Sequence, residues 1–116
     1  MAVKFEVPSY IRGYHVYHEV WSSVLEENLL CERERNNSND QYAVAVKKDA
    51  EIVGHLPRKL SRVCSLFLRR GGTITCKVSG RRRYSADLLQ GGVEIPCCLM
   101  FSGEDCEIKK LKALMA

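Results

Sequence analysis

The sequence predicts a mainly β fold with one or two helices, arranged as a single antiparallel domain over residues 1–116. Short apolar stretches recur along the chain with turn-forming residues between them, as expected for antiparallel strands. The stretch from Leu60 to Leu68 has helical apolar spacing instead. The 46% hydrophobic content of these 116 residues suffices for one core, which we expect over residues 10–103, followed by a terminal helix at 104–116.

Two strands are predicted near the amino terminus, from Val3 to Val7 and from Tyr14 to Trp21. Pro8-Ser9 and Gly13 lie between them and favour a turn. The aromatic residues of this region also fit helical spacing, so a helix remains the alternative for the second stretch. Those aromatic residues are Tyr10, Tyr14, Tyr17 and Trp21.

Three further strands are predicted in antiparallel succession, at residues 28–34, 42–47 and 52–56. The asparagine-rich segment 36–41 joins the first two strands, and a turn from Lys48 to Glu51 joins the second and third. The last two strands therefore form a hairpin. Its ends bring the asparagine-rich segment near His55 and Arg58.

A helix is predicted directly after this hairpin. Pro57 suits its first position, because the missing N–H of proline costs nothing there. Apolar residues then recur at intervals of three and four, and Gly71-Gly72 ends the helix. The apolar stripe consists of Leu60, Val63, Cys64, Phe67 and Leu68.

The rest of the chain predicts two strands and a second helix. The strands run over residues 73–79 and 93–101, and residues 80–92 form a polar loop. The helix spans Glu104 to Met115, with its acids first and its lysines last, as the helix dipole favours. Its inward side chains are predicted to be Ile108, Leu111, Leu114 and Met115.

Positive charge is unevenly distributed along the chain. Residues 52–86 contain nine Lys or Arg and no Asp or Glu, whereas the net charge of the whole chain is only +4. A segment without carboxylates cannot neutralise itself locally, so it favours a polyanion as partner. The alternative is that these cations face solvent or pair with the nine acids of residues 1–51.

The context of the cysteines and the absence of several motifs argue against several classes of protein. The six cysteines lie mostly in apolar stretches, which indicates reduced structural thiols, and only His15 and His18 have an interval that zinc sites use. No apolar stretch reaches the ~20 residues of a membrane span, and residues 1–10 lack a signal-peptide pattern. The sequence also lacks the nucleophile elbow and the metal-carboxylate cluster that would indicate an enzyme. We therefore expect an intracellular protein without cofactor or metal.

Polar residues around the hairpin predict a recognition site. A carboxylate in an electropositive groove repels a phosphate but accepts a hydrogen bond from a free hydroxyl. Asp40 suits that role. It would favour the end of a nucleic-acid strand over an internal nucleotide, while Arg58 and His55 hold nearby phosphates. The plainer alternatives are that the Asn and Asp residues only form turns, that His55 is structural and that Arg58 is ordinary surface.

These residues resemble the HIRAN domain family. Gly13 with Tyr17, the run from Arg33 to Val46 and the run from Val53 to Arg58 carry the resemblance, which covers about Tyr10 to Gly103. It implies a small OB-like antiparallel β-barrel and a nuclear DNA-repair module that binds single-stranded DNA at its free 3′ hydroxyl. The family's end-binding residues map onto Asn37, Asp40, His55 and Arg58.

The chain also departs from the DNA-binding pattern of this family. Asn39, Val16 and Val93 stand where aromatic residues are expected, and base stacking is worth ~1–3 kcal/mol per base. Substitutes are expected among Tyr14, Tyr17, Trp21 and Tyr84. The adjacent Arg81-Arg82-Arg83 run also suits phosphate, and it can stack on a base together with Tyr84. The alternative from another class is a peptide-binding module that uses segment 36–40 and exposed strand edges.

Overall fold

The computed structural model describes residues 2–12, 27–34, 41–80, 83–84 and 93–115, and for residues 83, 84 and 93 the description covers the backbone. The predicted strand from Tyr14 to Trp21 lies outside these residues. Within them, seven strands form an antiparallel sheet, and two helices pack against it. None of the described helices is long and apolar enough to cross a membrane.

The predicted fold class, mainly β with two helices, is confirmed. The strands are β1 Ala2–Ile11, β2 Asn28–Arg33, β3 Val44–Lys48, β4 Glu51–His55, β5 Thr73–Val78, β6 Arg83–Tyr84 and β7 Val93–Glu104. The helices are α1 Arg58–Arg69 and α2 Asp105–Met115. The sheet order is β1-β7-β5-β2-β3-β4, with β6 paired to β7, so the order has an OB-like antiparallel character with β1 and β4 at its edges.

The predicted meander of β2, β3 and β4 is also confirmed. β2 pairs with β3, and β3 pairs with β4 around a turn at Asp49 and Ala50. Asp49 has a φ of 56°, a left-handed conformation that Asp adopts more readily than most residues. β3 begins at Val44 rather than at Tyr42, because residues 41 and 42 still form a turn.

β1 is longer than predicted, since it continues through Pro8 and Ser9 to Ile11. Proline interrupts a central strand because it has no N–H to donate. β1 lies at the edge of the sheet and pairs with β7 alone in the sheet order, so the missing donor is tolerated. The prediction that Pro8-Ser9 ends the strand was therefore wrong.

α1 begins one residue later than predicted. Pro57 is its cap, with φ −56° and ψ 141°, and Arg58 is the first helical residue. Two serines lie deeper than the leucines of the predicted stripe: Ser61 donates to the Pro57 carbonyl at 3.3 Å, and Ser65 accepts from the Nε of Arg33 at 3.2 Å. Their hydroxyl groups are thus satisfied inside the packed face.

Two predictions for the last third of the chain were wrong. Leu114 is 58% exposed rather than inward, because it is the second step of three residues after Ile108, and each such step rotates the position further from the buried face. Arg83–Tyr84 forms β6 against the start of β7, so the predicted loop at residues 80–92 is shortened by a strand.

The core contains four of the six cysteines. All six thiols are free, with Cys31, Cys64, Cys76 and Cys97 buried, Cys98 half-buried and Cys106 exposed. Burial raises the pKa of Cys64 to about 12 and also raises that of Cys31. The predicted reduced structural thiols are confirmed for the buried four. The raised pKa values of Cys31 and Cys64 suppress the thiolate form that reacts with electrophiles.

We therefore expect one fast-reacting thiol, that of Cys106, when the folded protein meets an aromatic disulfide reagent near pH 8, and all six thiols after denaturation. Cys98 should follow more slowly. Cys106→Ser is the control and should remove the fast phase. Rapid reaction of Cys64 or Cys76 in the folded protein would contradict the closed core.

Candidate functional site

The two edge strands of the sheet meet at one place, formed by Ile11-Arg12 and Gly54-His55, which we call the seam. Arg12 and His55 exchange two backbone hydrogen bonds, each with an N to O distance of 2.8 Å. In the described residues this is an isolated bridge, so the sheet is not closed into the continuous barrel that the resemblance implied. The seam fixes His55 where the edges converge.

Gly54 is required by the close approach of the two edges. A Cβ atom at this position would lie 2.9 Å from the carbonyl oxygen of Arg12 and would also overlap the side chain of Ile11. Ile11 is fully buried, so neither neighbour has room to retreat. The glycine in the Val53-Gly54-His55 run thus allows the seam to form.

His55 contacts a carboxylate at the base of the asparagine-rich segment. Its Nε2 donates to Oε2 of Glu34, and both side chains remain about a quarter exposed. The backbone N–H of Glu34 donates to the carbonyl of Ala43 at 2.9 Å, which ties together the two ends of segment 35–40. His55 therefore contacts the residue that directly precedes segment 35–40.

Sequence reasoning did not single out Glu34 as a site residue. The available signal was its position at the end of β2, immediately before the asparagine-rich segment and within the motif that carries the resemblance. The contact with Glu34 fixes the orientation of the imidazole ring. The structure thus makes His55 an oriented group rather than a freely turning side chain.

Arg58 is exposed at the first position of α1, two residues after Leu56 leaves the hairpin. The first turn of α1 contains no acidic residue, although the positive end of a helix favours acids. Arg58 and Lys59 instead add positive charge to that end. This start of α1 is therefore suited to an anion.

A buried ion pair supports the seam from behind. The Nε of Arg12 lies 3.5 Å from Oε2 of Glu94, whose side chain is only 4% exposed. Glu94 is near the start of β7 and pairs in register with Arg83 of β6. A carboxylate at this depth requires compensation by a cation, and Arg12 supplies it. Sequence reasoning missed Glu94, which lies in an otherwise apolar strand.

Most of the other predicted contact residues lie outside the described part of the chain. They are Tyr17, Asn37, Asp40, Arg81 and Arg82, together with the side chains of Arg83 and Tyr84. His15 and His18, the pair with zinc-like spacing, also lie outside it. Across the described ranges, no group of three or more His, Cys, Asp and Glu side chains has an arrangement that holds a metal ion.

Solved structures with the same fold come from two sources. The crystal structure of the HIRAN domain of human HLTF has a TM-score of 0.75 at 20% identity, over 95% of this chain and 86% of that one. The NMR structure of the HLTF HIRAN domain in its DNA-bound conformation has a TM-score of 0.66 at 21% identity, over 96% and 86%. A crystal structure of a Lactobacillus plantarum protein reaches 0.56 at 13% identity, over 86% and 98%.

The fold and the seam define a small, mainly antiparallel β module with an OB-like sheet and two helices. The HIRAN domain family matches residues 9–99, so the chain belongs to that family. No curated protein matches its sequence.

Proposed function

We propose that this chain is a non-catalytic nucleic-acid-binding module that recognises single-stranded DNA at its free 3′ hydroxyl end. The observation that carries the proposal is the position of His55, which the seam and Glu34 hold at the base of segment 35–40 and close in sequence to the cationic start of α1. A structure of a relative, the HLTF HIRAN domain, is of its DNA-bound conformation.

In the proposed complex, each group has a distinct task. Arg58 and the amino-terminal N–H groups of α1 hold a backbone phosphate. His55 contacts the sugar or an adjacent phosphate, and Asn37 contacts sugar or base. Asp40 accepts a hydrogen bond from the terminal hydroxyl and repels a phosphate that takes its place, which selects the end of the strand.

Base stacking is the weaker part of the proposed site. Tyr17 and Tyr84 are proposed as platforms, and Arg81, Arg82 and Arg83 as phosphate contacts. Asn39 and Val93 provide no aromatic face, so we expect lower affinity than in relatives with a full set of platforms. The proposal also implies a nuclear protein, which imaging of a fluorescent fusion tests.

We expect a single strand with a 3′ hydroxyl to bind at least about tenfold more tightly than the same strand ending in 3′ phosphate. Asp40→Asn should abolish that difference, because it removes the charge and keeps the shape. Arg58→Gln should weaken both strands equally and lower the salt slope by about 0.7. Fluorescence anisotropy with labelled strands measures all three effects.

Asp49→Asn is the matched control, because Asp49 is an exposed aspartate in the β3–β4 turn and Asn also tolerates its positive φ of 56°. It should retain the preference for the hydroxyl end. Equal binding of both strand ends by the unaltered protein would reject end recognition. An absence of any binding at low salt would reject the nucleic-acid proposal and favour a peptide partner.

A further inference from the structure

One side of α1 carries a row of arginines that leads away from the proposed site. Three exposed arginines lie on this side, within about 40° of one another around the helix axis. They are Arg58, Arg62 and Arg69. Ser65 falls between Arg62 and Arg69, and the Nε of Arg33 from β2 donates to its hydroxyl at 3.2 Å. We call Arg33, Arg58, Arg62 and Arg69 the α1 ridge.

Three of the four arginines of the ridge have no ion-pair partner in the described part of the chain. Within the described residues, no carboxylate forms an ion pair with Arg33, Arg62 or Arg69, although Glu32 is nearby. Glu32 is itself engaged by Lys47 at 2.9 Å. On the side of the helix that faces α2, by contrast, Arg70 has an ion-pair partner, because it lies 3.5 Å from Glu107 of α2.

The ridge is continuous with the proposed site at its amino-terminal end. Arg58 belongs to both, and the guanidinium of Arg62 lies over the ring of Tyr42 at 6.0 Å from its centroid. Tyr42 follows segment 35–40 directly after Gln41. A strand whose end is held near His55 therefore has a cationic surface along which to continue.

We infer that the α1 ridge is a second binding surface, which takes the backbone phosphates of the same strand upstream of its 3′ end. This inference rests on the proposed function and extends it from an end-binding pocket to a track. From Arg58 to Arg69 the helix rises about 16 Å, the axial length of four to five stacked nucleotides at ~3.4 Å each. Arginines suit this ligand because their planar donors pair with phosphate oxygens.

The track makes affinity depend on strand length. A strand of about four nucleotides fills only the end-binding site, whereas one of about twelve nucleotides also reaches the ridge. With about three more phosphates neutralised, the longer strand should bind more tightly, and its slope of log affinity against log salt should be steeper by about 2.

Arg69→Gln tests the contact directly, because Arg69 is at the far end of the ridge from Arg58. It should weaken binding of the longer strand about threefold to tenfold at low salt and reduce its salt slope by about 0.7, while binding of the short strand is unchanged. Arg70→Gln is the matched control: it makes the same substitution at the next residue, on the side of α1 that faces α2. It should leave both strands unchanged.

Three outcomes overturn the track while the proposed function stands. They are equal binding of the short and long strands by the unaltered protein, an equal loss for both strands in Arg69→Gln, and equal losses in Arg69→Gln and Arg70→Gln. Failure of the unaltered protein to bind either strand overturns the proposed function as well. Thermal melting of each variant confirms that the exposed substitutions leave the fold intact.

Discussion

Replacing Gly54 by alanine should lower the free energy of unfolding by about 3 kcal/mol, because it adds overpacking to the loss of hydrogen bonds across the seam. The new methyl group would lie 2.9 Å from the Arg12 carbonyl oxygen, a backbone atom that cannot rotate away. The end of β1 would have to move from β4, and both 2.8 Å hydrogen bonds between Arg12 and His55 would lengthen. The cost is steric rather than conformational, since Gly54 does not have a positive φ.

Urea denaturation measures the stability change, and amide hydrogen exchange at Arg12 and His55 reports the seam itself. Both amides should exchange faster in Gly54→Ala, by more than the global destabilisation alone requires. Gly80→Ala is the control, because its nearest neighbour is a side-chain atom of Pro96 at 3.2 Å, which can shift slightly. Equal costs at the two glycines would show that the seam is not a tight contact.

Local patterns were sufficient to predict the elements that pack against the core. Apolar spacing predicted α1 and its end at Gly71-Gly72, and Gly71 has the positive φ of 92° expected of a residue that stops a helix. Alternation predicted the hairpin of β3 and β4 to within two residues. Both elements follow from short-range patterns that lie within their own segments of the sequence.

Long-range features escaped prediction for a physical reason. The extension of β1 through Pro8 depends on its position at the sheet edge, which only the strand order reveals. The role of Gly54 depends on the approach of Ile11, which is distant in sequence. The contact between Glu34 and His55 likewise joins residues from separate strands. Charge and motif spacing predicted a candidate site around His55, but the seam that orients this histidine is a property of the folded sheet.

The seam explains why His55 and the ion pair behind it belong to one unit. The backbone of Arg12 holds His55 in place, and the side chain of Arg12 reaches the buried Glu94. Glu34 contacts the His55 side chain, and Glu94 contacts the side chain of Arg12. A change at either carboxylate therefore acts on the position of the same histidine. Stability of the seam and ligand recognition are expected to vary together for this reason.

Glu94→Gln should lower the free energy of unfolding by about 2–4 kcal/mol, because it leaves the Arg12 guanidinium facing a neutral, buried amide. The Arg12 side chain is 21% exposed, so solvent relieves part of this penalty and places the cost below that of a fully buried pair. Replacing both residues, with Arg12→Met and Glu94→Leu, should recover most of the loss, since neither charge of this pair then remains. Urea denaturation of the unaltered protein, of Arg12→Met and Glu94→Leu as single variants, and of the double variant gives the coupling energy.

Lys109→Gln is the matched control for charge removal. Lys109 lies 3.1 Å from Asp105 in α2, and both side chains are well exposed at 76% and 61%. Breaking this exposed pair should cost no more than about 0.5 kcal/mol. A double variant as unstable as the sum of the two single variants would show that Arg12 and Glu94 act independently, and the stability of the seam would then rest on Gly54 and the backbone bonds alone.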